Sequence, residues 1–369
     1  RPAAMSKQTD SPHYLVLNSG SSTLKYAVFD AISLAVVERG IFELSEDNYA
    51  ETLEEVLHHG GYVSAVGHRV VHGGTAYTQP LLIDDSALAS LDKLCDLAPL
   101  HQPHNLHAVK VLRELHPELP QVACFDTAFH ATQAEVSSAY ALPDSLRSQG
   151  LRRYGFHGLS YDYISHQLAA SDVEAGGRCV VLHLGSGASG CAMSKGKSVS
   201  STMGFTALDG LMMATRCGTL DPGLVLHCIT QLGMSASEVT NTLYKSSGLL
   251  GVSGCSGDMR ILAQHADEPA VADALALYCR YIIRAIGSLT AELQGLDTLI
   301  FTAGVGENAA DIRRRVCEQL SWLGVELDNT ANQEHRPIIS KSSSAVTVRV
   351  IPTNEEWMIA HYMQQVLTP

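Results

Sequence analysis

An α/β protein of two domains with a duplicated core is what this sequence predicts, and three observations carry the prediction. The chain is 369 residues long, beyond the size at which one hydrophobic core keeps growing, so two domains with a cleft between them are expected. Hydrophobic residues make up 46% and charged residues 17%, the balance of a compact chain with a large core rather than a disordered one. Third, a strand, a small hydroxyl-rich turn and a second strand occur twice.

The first copy spans residues 14–30, where apolar runs flank Ser19, Gly20, Ser21, Ser22 and Thr23 ahead of Lys25. Gly20 lets the backbone bend closely, and the hydroxyls stand beside exposed N–H groups, which makes a phosphate cradle. It is not a Walker loop, because the G-x-x-x-x-G-K spacing is absent and strand-like residues come after Lys25. Taken alone, an ordinary Ser/Gly hairpin accounts for the stretch equally well; the recurrence at 179–193 decides. There Ser186, Gly187, Ala188 and Ser189 line up with Ser19 to Ser22. This copy also spells G-x-G-x-x-G from Gly185 to Gly190, with Asp209 at a tempting distance for a ribose contact. A dinucleotide site would need a helix to open at Gly190, yet residues 191–199 read as a strand, a Lys195-Gly196 turn and another strand.

Between the hairpins, 34–44 continues as strands and 51–58 reads as a short helix stopped by Gly60 and Gly61. Residues 64–72 form a β-branched run that sets His68 and Arg69 near a strand's carboxyl end, where α/β sheets bind ligands. His68 and His72 are four apart, but in an extended run that is roughly 13 Å, too far for a metal pair. Helices are expected over 86–98 and 105–115, with Pro99 and Pro103 forcing a loop between them. Residues 120–126 read as a buried strand ending in Asp126, either a helix cap or a ligand-facing group.

Glycines bracket His157 in the turn 154–158 and expose it toward a cleft, ahead of a helix over 161–169. The loop 209–223 sets Arg216 among small residues, a fixed positive charge with room beside it. A helix opens at 256–260, and a long packed one covers 271–293. Residues 299–308 read as a strand and a Gly304-Val305-Gly306 turn leading into a helix over 311–323, a favourable place for anionic groups. A strand over 346–351 and a helix over 354–363, with Glu355 and Glu356 in its first turn, complete the chain.

A net charge of -13 argues against a nucleic-acid partner, and an anionic substrate must be drawn in by local positive charge. Nine scattered cysteines without C-x-x-C spacing point to reduced thiols in a cytoplasm and to no metal cage. Neither a secretory segment nor an apolar run of about 18 residues is seen, so no membrane partner is expected. Residues ahead of Met5 read as an expression tag, and 1–12 as tag and disordered start.

Seven stretches in one order resemble the acetokinase family, the acetate and propionate kinases: LNSGSSTLK at 17–25, GHRVVHGG at 67–74, FDTAFH at 125–130, RRYGFHG at 152–158, GLMMATR at 210–216, AGVGEN at 303–308 and PTNEE at 352–356. The resemblance implies a duplicated actin-like ATPase (ribonuclease H-like) fold with domains over 13–128 plus 357–369 and over 129–356, and a homodimer. It further implies reversible transfer of the ATP γ-phosphoryl group to acetate or propionate, giving an acyl phosphate.

Such a reaction brings two anions together, so cations come first. Arginine suits the task, gripping planar carboxylate or phosphoryl oxygens through two parallel hydrogen bonds. Arg69 and Arg216 match the family's pair that hold substrate and stabilise the transferring group between the lobes; His157 assists the same charge, and Val71 matches a substrate-pocket wall. A carboxylate, with a pKa of about 4, is already ionised and needs no base. Asp126, an active-site acid in the family's usual description, is therefore read as orienting an arginine or a metal-bound water. Asn18 and Glu355 match the positions near Mg²⁺, with Mn²⁺ as an alternative, and Ser21, Thr23 and Lys25 those near the phosphoryl group. His183, Leu184, Gly185, Ser186 and Gly187, then Asp258, Met259 and Arg260, then Gly304, Val305, Gly306, Glu307 and Asn308 match the nucleotide-binding segments.

Departures bear on substrate. Ala207 stands where acetate kinases usually carry proline, which leaves space for one more methylene, as in propionate. Ser186 replaces an asparagine, which keeps donor choice open, and together with Thr219, in place of an aspartate, it raises the alternative of a nucleotide-binding regulator that lost turnover; a kinase for a longer acid such as butyrate is another alternative. A sugar kinase or polyphosphate phosphatase is a further reading; the intact set Arg69, Asp126, His157, Arg216 and Glu355 opposes both it and the regulator.

Overall fold

The computed structural model describes residues 11–171 and 177–368, so residues 1–10 of the stretch read as a tag lie outside the described residues. The chain divides into two compact units: one runs to Ala128 and regains the chain at Asn354, and the other spans Phe129–Thr353. The acids of the last helix's first turn therefore fall in the first unit.

In the first unit β1 (His13–Ser19), β2 (Thr23–Asp30), β3 (Val36–Glu43), β4 (Val63–Val70), β5 (Leu81–Leu82) and β6 (Gln121–Phe125) form one sheet in the order β3-β2-β1-β4-β6-β5. The second unit holds β7 (Arg178–Leu184), β8 (Ala188–Ser194), β9 (Lys197–Ser201), β10 (Thr298–Thr302) and β11 (Thr347–Val350) in the order β9-β8-β7-β10-β11. Each sheet opens with an antiparallel meander and continues from its first strand through two parallel ones. The same path walked twice is the duplicated α/β architecture expected from the recurring hairpin.

Register corrects one detail. The last ladder pairs are Ser19 with Leu24 and Leu184 with Ala188, so the glycine directly after each first strand is Gly20 in one copy and Gly185, not Gly187, in the other. Both donate their N–H across the turn, Gly20 to Thr23 O at 2.8 Å and Gly185 to Gly187 O at 3.1 Å; ladder bonds, not residue likeness, fix the correspondence. Beyond Gly190, β8 continues and turns through Lys195 (φ 51°) and Gly196 (φ 71°) into β9. This is the positive-φ pair of a tight hairpin rather than the helix of a dinucleotide fold.

Two further expectations are revised. Pro103 lies inside the first turn of the helix Gln102–Leu115, where its missing N–H costs nothing, so only Pro99 belongs to the preceding loop. Gly304 and Gly306 lie within a helix, Ala303–Asn308, that starts directly at the end of β10 and is separate from the next, Ala310–Glu318. The sharp strand-to-helix bend is taken by Ala303 at φ 64°, not by a glycine turn. The terminal helix Glu355–Leu367 buries Met358, Ile359 and Met363. Gly67 in β4 admits it, since a Cβ there would come within 2.7 Å of Ile359 Cγ2.

Candidate active site

In the first unit β1, β4 and β6 run parallel, so their carboxyl ends share one edge of the sheet and carry Asn18, Arg69 and, just past β6, Asp126. Arg69 Nε donates to Asp126 Oδ1 and Oδ2, both at 3.1 Å, and Nη2 to Oδ2 at 2.9 Å. On its other side Nη1 lies 3.2 Å from Glu355 Oε2, an ion pair without hydrogen-bond alignment. Burial alone would lower the Arg69 pKa, but Asp126 and then Glu355 outweigh it and hold it above the ordinary arginine value. Glu355 is pushed up by burial against the opposing pull of Arg69. Both carboxylate oxygens of Asp126 thus face the Arg69 guanidinium. Lys25 faces Asn18 across the β1–β2 ladder and is exposed, as is Ser21; Thr23 closes the turn through its carbonyl. Just past β4, the Val71 N–H donates to Asn105 Oδ1 at 3.0 Å, while Asn105 Nδ2 donates to Ser19 O at 2.9 Å. One buried amide therefore ties the hydroxyl-rich turn to the strand that bears Arg69. His68 hydrogen-bonds Gln121 Oε1 at 2.6 Å, and burial pushes it down to about 4.

In the second unit His157 adopts φ 55°, and its ring stacks on His183 with centroids 4.1 Å apart. Each ring is anchored at Nδ1, His157 by Ser189 Oγ at 2.8 Å and His183 by Ser160 Oγ at 2.7 Å. Ser189 also bonds the Tyr161 hydroxyl, and Ser160 bonds Thr353 Oγ1 at 2.8 Å. A Cβ on Gly187 would stand 2.5 Å from Arg216 Nη2 and 3.4 Å from His157 Nε2, so only glycine lets guanidinium, imidazole and turn backbone meet. Arg216 Nη1 donates to Ala207 O at 2.6 Å. Among the described residues no carboxylate forms an ion pair with it, and burial lowers its pKa.

The nucleotide segments gather around the same turn. Thr302 pairs with His183 in the β10–β7 ladder, setting Gly304 to Asn308 beside His183 to Gly187. Ser186 O accepts from Ala214 N, and a Cβ on Gly257 would lie 2.9 Å from Ala214 O, so Asp258, Met259 and Arg260 adjoin through Ala214. Asp258 caps its helix and is gripped by the exposed Arg260 fork at 3.1 and 2.7 Å; Met259 is buried. Leu184 is buried, Ser186 is exposed, and Glu307 Oε2 accepts from Thr353 N at 3.4 Å.

Each unit thus collects its own share of the expected residues at the carboxyl ends of its parallel strands. The Acetokinase family model matches residues 45–361. The chain belongs to the acetokinase family. It is 47% identical to an acetate kinase of Rhodopseudomonas palustris over 95% of this chain and 97% of that one. It is 51% identical to an acetate kinase of Nitrobacter hamburgensis over 82% and 75%. Among solved structures, a propionate kinase from Francisella tularensis superposes with a TM-score of 0.90 at 35% identity over 95% and 98% of the two chains. Acetokinase membership makes this chain a phosphotransferase with a carboxyl group as acceptor, built on the duplicated actin-like ATPase fold.

Sequence reasoning overlooked Asn105 and Ser160, and gave Ser189 no part in anchoring His157. Asn105 lay in a helix chosen for its apolar spacing, yet it is a buried amide on that helix's inner face, and a polar residue at a core position is the signal to follow. Among the described residues no helix is long and apolar enough to cross a membrane.

Proposed function

We propose that this carboxylate kinase of the acetokinase family joins a short-chain acid, acetate or propionate, to the γ-phosphoryl group of ATP, reversibly. A carboxylate oxygen forms the new bond to phosphorus as the bond to the ADP oxygen breaks; no proton moves, because the acid enters ionised. The observation that carries this reading is Arg216, a cation without an acid partner among the described residues, set over the Gly187 backbone beside His157. Charge that develops on the phosphoryl oxygens would meet donors already in place. Arg69, held by Asp126, and Val71 take the acid; Arg216 and His157 stabilise the transferring group. Ser21, Thr23 and Lys25 line the phosphates, and the segments around Gly185, Asp258 and Gly304 hold the nucleotide.

Asn18 and Glu355 supply two oxygen donors, which suits a Mg²⁺ or Mn²⁺ that arrives on the phosphates and keeps several waters. Such an ion offsets phosphate charge when bound. Neither nucleic acid nor membrane is a partner in this reading, and the enzyme works in the cytoplasm. A homodimer is supported by the helix Pro222–Thr230, which buries none of its residues and leaves Leu224 48% and Leu226 61% exposed.

The Ala207 position favours propionate, by about 1 to 3 kcal/mol at most for one methylene. Hydroxamate trapping of acyl phosphate with ATP, Mg²⁺ and a series of short acids tests both levels. Propionate is expected to give the highest kcat/KM. A clear preference for acetate overturns the pocket argument, and no acyl phosphate from any short acid overturns the assignment of roles.

A further inference from the structure

Arg313 has no exposed surface and is the largest side chain so enclosed among the described residues, where no carboxylate pairs with it. All five of its N–H bonds are used instead. Nε donates to Asn332 Oδ1 at 2.7 Å, and Nη2 to Asn332 O and His335 Nδ1, both at 2.8 Å. Nη1 donates to Gly306 O and Glu307 O, both at 2.9 Å. Burying a guanidinium is expensive, and an apolar residue would fill the space more cheaply, so the five fixed bonds need a reason. The reason lies in the two carbonyls. They belong to the helix Ala303–Asn308, whose six residues are too few to be stable alone and whose final carbonyls have no partner within the helix.

We propose that Arg313 is a positioning residue for the nucleotide: by gripping the Gly306 and Glu307 carbonyls it fixes the segment Gly304 to Asn308 in the shape that receives the phosphoryl donor. The effect extends further, because Glu307 Oε2 accepts from Thr353 N, and Thr353 bonds Ser160, which anchors His183. This inference rests on reading Gly304 to Asn308 as a nucleotide segment.

The test compares Arg313→Ala, Arg313→Lys and Asn308→Ala by steady-state kinetics and by calorimetric titration with ADP. Misplacing a binding segment by an ångström costs up to about 100-fold, so Arg313→Ala should raise the ATP KM and the ADP Kd at least about tenfold. The KM for the acid should stay within about twofold, Arg313→Lys should restore part of the loss, and added guanidinium should restore part of it to Arg313→Ala. Should Arg313→Ala not fold, His335→Ala removes a single acceptor at an exposed position and should show the same nucleotide-selective change on a smaller scale. Arg313 or His335 variants that lose thermal stability but bind ADP normally overturn the inference. If Asn308→Ala weakens ADP binding while the Arg313 variants do not, only the positioning role falls; if Asn308→Ala has no effect, the nucleotide reading of the segment falls with it.

Discussion

In the first unit Arg69 shares its guanidinium between Asp126 and Glu355, whereas in the second Arg216 gives one N–H to the Ala207 carbonyl and is paired with no carboxylate among the described residues. The same side chain is therefore over-compensated in one setting and uncompensated in the other. Two acids that are 3% and 15% exposed make Arg69 a structural cation beside its proposed role, because its loss would strand buried negative charge. Arg216 is enclosed at an electrostatic cost that no carboxylate among the described residues offsets, which is what the proposed role as receptor for an anionic ligand requires.

That contrast breaks most visibly under paired substitution. Arg216→Ala should lower kcat by roughly 1,000-fold, the scale for removing a preorganised charge at a developing anion, while the melting temperature stays level or rises as an unpaired buried charge disappears. Arg69→Ala should also abolish turnover, but it leaves Asp126 and Glu355 without their cation and should cost about 3 to 5 kcal/mol of stability. Urea unfolding and turnover measured on both variants read the difference directly. Equal destabilisation by the two would end the distinction. Gly187→Ala sharpens it: the new methyl group would meet Arg216 Nη2 at 2.5 Å, and the displaced guanidinium should cost about 100-fold in kcat without touching Arg69.

Why the two arginines differ was only half legible in the sequence. Strand ends are marked by apolar runs that stop at Asp126 or at the turn after Leu184, so many strands, both hairpins and the placing of Arg69 near a strand's carboxyl end came from period and turn residues alone. The family motifs supplied the roles. What could not be read is which groups sit beside which. Glu355 is 286 positions after Arg69 in the chain, and nothing local to either one records that Gly67 lets the terminal helix come down on β4. The helix through Gly304 and Gly306 was missed because glycine is a poor helix former; there tertiary hydrogen bonds, those from Arg313 among them, override propensity.

Acid sensitivity gives a third handle on the contrast. His68 and His72 in the first unit and His130 in the second are each pushed by burial down to about 4. Their folded pKa lies below the unfolded value near 6.5, so the unfolded state binds protons first. The stability they contribute is whole above pH 6.5 and drains away as pH falls toward 4, at up to about 1.4 kcal/mol per pH unit for each histidine. The first unit, with two such groups, should lose order at a higher pH than the second, which thermal melts between about pH 7.5 and 4.5, tracked by hydrogen exchange, would register. A first unit that outlasts the second in acid would contradict it.

The smallest effect concerns how the second unit aims its imidazole. Ser189 Oγ lies between the Tyr161 hydroxyl and His157 Nδ1. With Tyr161 donating to Ser189 and Ser189 donating in turn to Nδ1, a neutral His157 carries its proton on Nε2, the nitrogen nearest the Gly187 turn; in the proposed role it would donate to phosphoryl oxygens there. Ser189→Ala removes the bond that selects this tautomer and should lower kcat by about tenfold, within the range of a single hydrogen bond, with KM for both substrates little changed. Tyr161→Phe leaves Ser189 in place but frees its proton to turn either way, so it should fall between the wild type and Ser189→Ala. If Tyr161→Phe is the more damaging of the two for kcat, orientation does not run through Ser189, and the aim of His157 is set instead by its left-handed backbone and the His183 ring beneath it.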